Sequence, residues 1–388
     1  MADSMQTPLY DWHVANNAQM IDFSGWSMPL QYTSVVHEHE AVRNAVGISD
    51  ISHMGRYIFR GSGACAFLDS LLTCSVSAMP QGQICYSLLT NDSGGIMDDL
   101  LIGHNTYTVT EEPFYFLFVN ARNKNKDAKF IKSKLEKFLK AGGGNTAFAD
   151  CSSKTAMITV QGPFAVELLQ PLIRDNLAGL KYYTSKNTTL TAGERWCFIS
   201  RTGYTGEDGF EIVIEEFLAE QFMEELFQLG KQFNAAAVGF SARDTLRLEA
   251  AMPLYGHELS ELINPFEAGL GSAVKLNGRE FSGSRALLEI KRKPLQKVRI
   301  GLEMERQCPV HEGYTIHLQN ETAEDIGVIT SGTYSPTLQK PIAMGYVPPE
   351  HSHTGQQLLV NICGKMYEAA VVSLPFYSRK RSFFSKAS

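Results

Sequence analysis

Apolar and polar positions along the chain predict a β-hairpin around residues 84–109. The apolar run Ile84–Leu89 and the more mixed run Leu100–Val109 flank the segment Ser93-Gly94-Gly95-Ile96-Met97-Asp98-Asp99. Gly-Gly is typical of a two-residue hairpin turn, because both positions can adopt positive φ at little steric cost. On the returning strand Asp98 and Asp99 must point to opposite faces. One carboxylate is therefore expected to face inward, where it needs a partner or a task. Turn capping by both is the alternative.

The remaining periodicity predicts an α/β body. Helical spacing and helix stop signals indicate helices at 37–46 (ended by Gly47), 66–72, 126–141, 165–169, 217–233 and 245–250, with a further helix beginning at Asn264-Pro265. Apolar runs predict strands at 114–119 and 155–161. The aromatic, turn-rich segment 23–29 is interpreted as a buried loop.

From about residue 275 the pattern changes to short alternating runs separated by Gly, Pro and Asn. These runs lie at 298–304, 314–318, 326–330, 342–347, 357–362 and 366–372. Regularly spaced alternating strands are typical of a barrel or sandwich. The sequence therefore predicts an all-β module at the C-terminal end.

Composition narrows the class of protein. The chain has 388 residues, 44% hydrophobic and 20% charged, which is enough for two or three domains. A net charge of -6 argues against nucleic-acid binding, and no apolar run approaches the length of a membrane span. The seven scattered cysteines and the unremarkable N-terminus predict reduced thiols in a cytoplasm or, as an alternative, a mitochondrial matrix.

Three motifs suggest chemistry. Gly61-Ser62-Gly63-Ala64-Cys65-Ala66 matches a dinucleotide fingerprint, but the acidic residue expected about 20 positions later is missing, so a strand-to-helix turn is favoured. His37-x-His39 has the spacing of metal ligands, yet a solvated helix face is favoured and no metal is predicted. The glycine-rich segment Ser200–Glu211 is interpreted as an exposed loop that presents Tyr204 for stacking and Glu211 as an acceptor.

These segments together resemble the T-protein of the glycine cleavage system, a tetrahydrofolate-dependent aminomethyltransferase family. The likeness is carried by GGIMDDL (94–100), SRTGYTGEDGFE (200–211), ARDTLRLEA (242–250), NPFEAGL (264–270) and ITSGTYSPTL (329–338). The resemblance implies a mixed α+β fold in which three domains form a cloverleaf around a central folate site. It also implies a discontinuous first domain at 1–50 and 151–275, an inserted α/β domain at 51–150, and a C-terminal β-barrel at 276–388.

The same resemblance implies the site residues. Asp99 matches the catalytic aspartate, which leaves Asp98 to the turn or to a surface hydrogen bond. The positions implied for the folate site are Met54, Tyr86, Asn123, Tyr182, Tyr183, Tyr204, Glu211, Arg243 and, by a looser match, Arg379. Arg243 is expected to pair with Asp99 or with a ligand carboxylate. Ser272 stands where many members carry Trp. A core hydrogen bond or salt bridge is the alternative role at each position.

The chemistry implied by the resemblance transfers one carbon from sulfur to tetrahydrofolate nitrogens. The donor is the aminomethylated lipoyl arm of H-protein, the predicted partner, and the chain is expected to be a monomer outside that complex. A carboxylate beside the folate would hold a nitrogen and favour developing positive charge. Two alternatives remain, namely a folate-dependent demethylase of a small S- or O-methyl compound and a non-catalytic folate-binding protein. The signature K-G-C-x-x-G-Q-E of that second class is missing.

Overall fold

The first 150 residues alternate short strands and helices. The computed structural model describes residues 4–107, 110–319 and 324–379. Up to residue 150 its elements are β1 (Met5–Gln6), α1 (Tyr10–Ala15), β2 (Gln19–Phe23), β3 (Trp26–Gln31), α2 (Val35–Asn44), β4 (Val46–Asp50), β5 (Gly55–Arg60), α3 (Ala64–Leu71), β6 (Ile84–Thr90), β7 (Ile96–Thr106), β8 (Pro113–Val119), α4 (Lys124–Lys140) and β9 (Ala147–Asp150).

The second part of the chain completes one sheet and then forms a barrel. Its elements are β10 (Thr155–Gln161), α5 (Ala165–Leu169), β11 (Ser185–Thr189), β12 (Trp196–Ser200), β13 (Gly209–Glu215), α6 (Ala219–Gly230), β14 (Ala235–Ala237), α7 (Phe240–Glu249), α8 (Ser284–Lys291), β15 (Val298–Met304), β16 (Thr315–Leu318), β17 (Asp325–Ser335), β18 (Lys340–Val347), β19 (Gln357–Ile362) and β20 (Lys365–Val372).

The α/β body contains two open sheets. Strands β11-β12-β13-β10-β4-β14 form one, and β6-β7-β8-β5-β9 form the other. Strand β4 ends at Asp50 and its antiparallel partner β10 begins at Thr155, so the five-stranded sheet is built from the intervening chain. A small sheet, β1-β3-β2, precedes them. The division of the chain into three domains with the bounds given above stays a prediction.

The C-terminal module is a closed barrel of strand order β15-β18-β17-β16-β19-β20, which confirms the mixed α+β fold with a β-barrel end. On β15, Ile300, Leu302 and Met304 are buried in the barrel core, while Glu303 between them is partly exposed. That alternation is the period of two expected for a strand with one face inward.

Apolar side chains hold the helices against the sheets. Leu168 of α5 and Phe222 and Leu226 of α6 pack with Ile158 and Ile212 of the six-stranded sheet. All five side chains are at most 2% exposed. Burial of each is worth about 1.5–3 kcal/mol relative to exposure, so this face alone fixes both helices.

Several predicted elements need correction. Residues 23–29 are not a buried loop, because β2 and β3 form a hairpin through them. The helix expected from Asn264 is a set of turns: its side-chain Oδ1 accepts from the N–H groups of Phe266 and Glu267, and Gly269 (φ +72°) turns the chain away. Gly47 lies in β4, and α2 ends at Asn44. All seven cysteines are free thiols.

Candidate active site

A cavity of about 630 Å³ lies where the sheets, α7 and the barrel meet, within the size range of small-molecule sites. The small sheet, the segment after β4, both open sheets, α7 and the first barrel strand all supply its wall. Its lining includes Phe23, His53, Met54, Tyr86, Asp99, Asn120, Arg122, Tyr183, Tyr204, Glu211, Phe240, Arg243, Asp244, Arg247, Leu270 and Arg299.

The hairpin beside this cavity has a longer loop than predicted. Residues 91–95 connect β6 and β7, so the two-residue Gly-Gly turn is wrong. The Asn91 side chain accepts from the N–H groups of Ser93 and Gly95 and shapes the loop. A Cβ at Gly95 would lie 1.9 Å from the carbonyl oxygen of Glu261, so glycine is needed for this close approach. The predicted end of the returning strand, residues 108–109, lies outside the described residues.

Strand β7 turns Asp99 toward the cavity. In the register, Asp99 lies opposite Leu88 and Asp98 opposite Leu89. The Tyr86 hydroxyl donates to Asp99 Oδ2 at 3.0 Å, and Asn120 Nδ2 donates to Oδ1 at 2.8 Å. Each carboxylate oxygen therefore has one donor, and the group is fixed in the wall with capacity to accept from a ligand.

Asp98 is not a turn or surface residue, which corrects the prediction for it. Its side chain is fully buried on the opposite face of the hairpin. Oδ1 accepts from the amides of Asn120 (2.9 Å) and Asn123 (2.6 Å), and Oδ2 accepts from the backbone N–H of Asn120 at 3.0 Å. Removal of this carboxylate would leave three buried donors poorly satisfied.

The surroundings of Asp99 raise the pKa of its carboxyl. Burial, followed by the charge of neighbouring Asp98, raises the pKa of Asp99 to about 7, against the donors Tyr86 and Asn120, which oppose the rise. An ordinary aspartate has a pKa of about 3.9. A group with a pKa near working pH is suited to acid–base and electrostatic chemistry.

The glycine-rich segment 200–211 is largely buried, so its interpretation as an exposed loop is wrong. A Cβ at Gly203 would lie 2.0 Å from the side-chain Oε1 of Gln161, which explains the need for glycine in so tight a segment. Tyr204 lines the cavity half-buried, and its hydroxyl donates to the carbonyl of Pro253 at 2.6 Å. That bond fixes the ring in the cavity wall.

Glu211 and Arg243 line the cavity with unused hydrogen-bonding capacity. Glu211 lies in β13, where Oε2 accepts from Thr202 Oγ1 at 2.5 Å and burial raises the pKa of the carboxyl. Among the described residues its Oε1 has no hydrogen-bond partner, and neither has the guanidinium of Arg243. The pair expected between Arg243 and Asp99 does not form. A polar ligand could satisfy both groups.

Three of the predicted positions do not line the cavity. Asn123 is buried and is bonded to Asp98. Tyr182 is 46% exposed and packs edge-on to Tyr183, with ring centroids 4.9 Å apart. Arg379 lies 5.3 Å from the Tyr182 ring and contacts Asp208 at 3.2 Å. Ser272, the departure noted above, is exposed.

Two cavity residues were missed by sequence reasoning. Asn120 donates to both carboxylates of the hairpin, and its position just after β8 was the available signal. His53 is 5% exposed, packs against Phe23 and Phe240 at ring-centroid distances of 5.7 and 5.2 Å, and has a buried Nδ1 without a partner in the described chain. Burial lowers the pKa of His53 to about 3, so the imidazole is neutral at physiological pH.

The solvated helix face predicted for His37-x-His39 holds for His37, which is exposed, and is wrong for His39. His39 is fully buried, with Nδ1 2.8 Å from Thr245 Oγ1 and Nε2 2.9 Å from Thr337 Oγ1, because α2 packs against both α7 and the barrel. In the described part of the chain no three His, Cys, Asp or Glu side chains are grouped as metal ligands would be. None of the described helices has the length and apolar character that crossing a membrane requires.

Known proteins with the same domain order are found by comparison of sequence and structure. Residues 9–278 match the model of the GCVT N-terminal domain, and residues 297–378 match the glycine cleavage T-protein C-terminal barrel domain. The aminomethyltransferase of Desulfitobacterium hafniense (strain DSM 10664 / DCB-2) is 41% identical over 380 residues, covering 98% of this chain and all of that one. The aminomethyltransferase of Caldanaerobacter subterraneus subsp. tengcongensis is 40% identical over 374 residues, 96% of each chain.

A solved structure agrees. The crystal structure of glycine cleavage system aminomethyltransferase T from Bartonella henselae superposes with a TM-score of 0.87 at 32% identity, covering 96% of this chain and 98% of that one. The likeness therefore extends through the α/β body, the cavity and the barrel. On these grounds the chain belongs to the glycine cleavage T-protein family, whose members are aminomethyltransferases, enzymes that transfer one-carbon groups.

Proposed function

We propose that this protein releases ammonia from the aminomethyl-lipoyl arm of H-protein and transfers the carbon to tetrahydrofolate. The observation that carries the proposal is Asp99, held by Tyr86 and Asn120 in the wall of a central cavity in which Glu211 Oε1 and the guanidinium of Arg243 have no hydrogen-bond partner among the described residues. Membership of the glycine cleavage T-protein family supports the reaction class.

The cavity suits a reduced folate. Such a ligand combines a flat ring system with donor and acceptor edges and a carboxylate tail. The wall offers aromatic faces at Phe23 and Phe240, the open acceptor Glu211 Oε1 and the unpaired guanidinium of Arg243. Few polar groups in an otherwise apolar pocket are what fix the orientation of such ligands.

Each polar residue then has a role that follows from its chemistry. When bound, tetrahydrofolate supplies the two nitrogens that accept the carbon. Glu211 accepts from donor N–H groups, and Arg243 donates to a carbonyl or carboxylate oxygen. Asp99, oriented by Tyr86 and Asn120, places a carboxylate where positive charge develops on the transferred carbon. Overall, the sulfur and the departing nitrogen each gain a proton, and the two acceptor nitrogens each lose one.

The decisive experiment measures ammonia release from aminomethylated H-protein with and without tetrahydrofolate. We expect release to accelerate strongly when tetrahydrofolate is present, with formation of methylenetetrahydrofolate. A protein that ignores lipoylated H-protein but demethylates a small S- or O-methyl compound would be the alternative enzyme. The predicted monomeric state and the compartment, cytoplasm or matrix, stay predictions.

Folate binding has its own test. A ligand that binds only the folded protein stabilises it by mass action and so raises its melting temperature. At a ligand concentration of 100 times Kd, the free energy of unfolding increases by about 2.7 kcal/mol. We expect saturating tetrahydrofolate to raise the melting temperature, with one site per chain by calorimetry. A flat melting curve at saturating reduced folate would contradict the proposal.

A further inference from the structure

A buried carboxyl without a partner lies behind the catalytic hairpin. Asp127, in the first turn of α4, is fully buried, and neither of its carboxyl oxygens has a partner with ordinary hydrogen-bond geometry in the described chain. An ionised carboxylate in that position, without a hydrogen-bond donor, would be strongly destabilising. The stable form of an isolated buried carboxyl is therefore the neutral acid.

The surroundings of Asp127 point to one acceptor for the acid proton. Asn123 accepts the Asp127 backbone N–H at 2.8 Å and donates its own amide to Asp98 Oδ1 at 2.6 Å, so the end of this helix is tied to Asp98. The carboxyl of Asp98 faces that of Asp127. Lys126, the nearby cation, is engaged elsewhere, by the carbonyl of Met97, the Tyr255 hydroxyl and Glu261.

We propose that Asp127 and Asp98 form a proton-sharing carboxyl pair beneath Asp99, with the proton on Asp127 and the single negative charge on Asp98. The three donors from Asn120 and Asn123 favour the ionised form of Asp98, whereas Asp127 has none. Two facing buried carboxylates cannot both ionise cheaply. One proton therefore satisfies both groups.

The carboxyl pair is connected to Asp99 by the side chain of Asn120. The amide of Asn120 donates to Asp98 Oδ1 and to Asp99 Oδ1, at 2.9 and 2.8 Å, and so holds the two acids at a fixed separation. Asp127 is thus a positioning residue that never touches the substrate. This positioning role of Asp127 rests on the proposed function, because it concerns the charge near Asp99 during catalysis.

Other titratable groups also face the three acids. On the cavity side Tyr86 donates to Asp99, Tyr204 lies near Asp99, and Arg299 lies near Tyr86. Tyr57 on β5 faces Asp98 and Asp127, and Tyr255, after α7, faces Asp98. All four tyrosines have raised pKa values through burial, so they are neutral donors around neutral pH. The charges that change in this range are those of the acids.

The first test measures stability against pH in Asp127→Asn and needs neither folate nor H-protein. Burial and the charge of Asp98 hold the pKa of Asp127 far above the unfolded value of about 3.9. Folded wild type then binds one proton more than the unfolded chain, and its stability falls as pH rises between the two pKa values. The amide never titrates. We expect the unfolding constant of wild type, relative to Asp127→Asn, to rise by up to about tenfold per pH unit from about pH 5 upward.

The matched control is Asp92→Asn, in the exposed loop of the same hairpin, with a side chain 91% exposed. Its unfolding constant should keep a constant ratio to wild type across the same pH range. If Asp127→Asn also kept a constant ratio, Asp127 would be ionised in the folded protein and the pair would be excluded.

A second measurement covers the case in which Asp127→Asn does not fold. Infrared spectra detect protonated carboxyl groups by their C=O band. At a pH of about 8.5 ordinary aspartates, with a pKa of about 3.9, are ionised, and the Asp99→Asn change removes the contribution of Asp99. We expect one protonated-carboxyl C=O band, which the additional Asp98→Asn change should shift because the proton loses its anionic acceptor. A spectrum without a protonated-carboxyl band would overturn the proposal, whatever the outcome of the H-protein assay.

Discussion

Strand alternation and hydrogen bonding divide two adjacent aspartates between different tasks. Asp99 faces the cavity with one donor on each oxygen, while Asp98 is buried behind it with three donors. The alternation was predictable from sequence, because neighbours on a strand must face opposite ways. The burial of Asp98 was not, because it depends on Asn120 and Asn123, which lie in the turn after β8.

We predict that Asp99→Asn retains the fold and most folate affinity but lowers turnover by roughly two orders of magnitude or more. An amide of the same shape can keep the Tyr86 contact, but it loses the charge and the basicity of the carboxylate. Turnover with aminomethylated H-protein, a melting curve and folate calorimetry measure the three quantities. Asp92→Asn serves as control, and full activity of Asp99→Asn would place the chemistry elsewhere.

The raised pKa of Asp99 predicts the pH dependence of turnover. In the proposed reaction Asp99 acts as an anion, and its pKa is about 7. Because the protonated fraction grows below that pH, turnover should fall about tenfold per pH unit there. In Asp98→Asn the neighbouring charge is gone, and the acidic limb should move to lower pH by at least about one unit. Loss of stability is expected as well, about 1–3 kcal/mol, because an amide now faces three buried donors. An unmoved limb in a folded Asp98→Asn would exclude this electrostatic coupling.

At the scale of elements, helix α7 carries two arginines one turn apart in different surroundings. Arg247 is 2% exposed and donates to Asp244, Glu258, Ser331 and the carbonyl of Met252. Arg243, four residues earlier, lines the cavity without a hydrogen bond to the described residues. The spacing puts both on one helix face, yet only the fold distinguishes them.

We predict opposite effects for the two arginines. Arg243→Met should weaken tetrahydrofolate binding by about tenfold or more with little change in melting temperature, because no protein partner is lost. Arg247→Met should lower the melting temperature strongly, since it leaves Glu258 as an uncompensated buried charge. Calorimetry and thermal unfolding of both variants give the comparison. Equal losses of stability would contradict the assignment of Arg243 to ligand binding.

Elements with a clear period were predictable, and those fixed by tertiary contacts were not. The bounds of β10, α5, β15 and β19 coincide with the predicted runs, because their apolar alternation or helical spacing is uninterrupted. The β2–β3 hairpin was missed because its turn residues, Ser24 and Gly25, lie inside an aromatic segment. Motif likeness pointed to Asp99, Glu211 and Arg243, which line the cavity, whereas the contacts of His53 and Asn120 depend on the fold.

At the scale of the whole molecule, buried polar groups join the barrel to the α/β body. Glu249, at the end of α7, accepts from the hydroxyl of Ser335, the backbone N–H and hydroxyl of Thr337, and the guanidinium of Arg43. Glu258 similarly accepts from Thr330 of the barrel at 2.6 Å. The cavity lies between these units, so its shape depends on their remaining docked.

This joint predicts acid sensitivity that is centred on Glu249. Burial alone would raise the pKa of this carboxyl, but hydrogen bonding and charge from His39, with Ser335 and Arg43, lower it to about 2. The folded pKa lies below the unfolded value of about 4.3, so the stabilisation is fully present above that value and is lost as pH falls toward 2. The linked contribution is at most about 3 kcal/mol.

We therefore predict that Glu249→Gln is less stable than wild type by roughly 3–5 kcal/mol at neutral pH, because Arg43 and its neighbours lose a buried anion. Since glutamine does not titrate, the difference should narrow as pH falls from about 4 toward about 2. The control is Glu303→Gln, which removes a partly exposed pair with Lys340 on the barrel surface and should cost at most about 1 kcal/mol. Chemical unfolding at several pH values measures both variants. If the stability of Glu249→Gln kept a constant difference from wild type down to acid pH, Glu249 would not be the titrating group that stabilises the contact between barrel and α/β body.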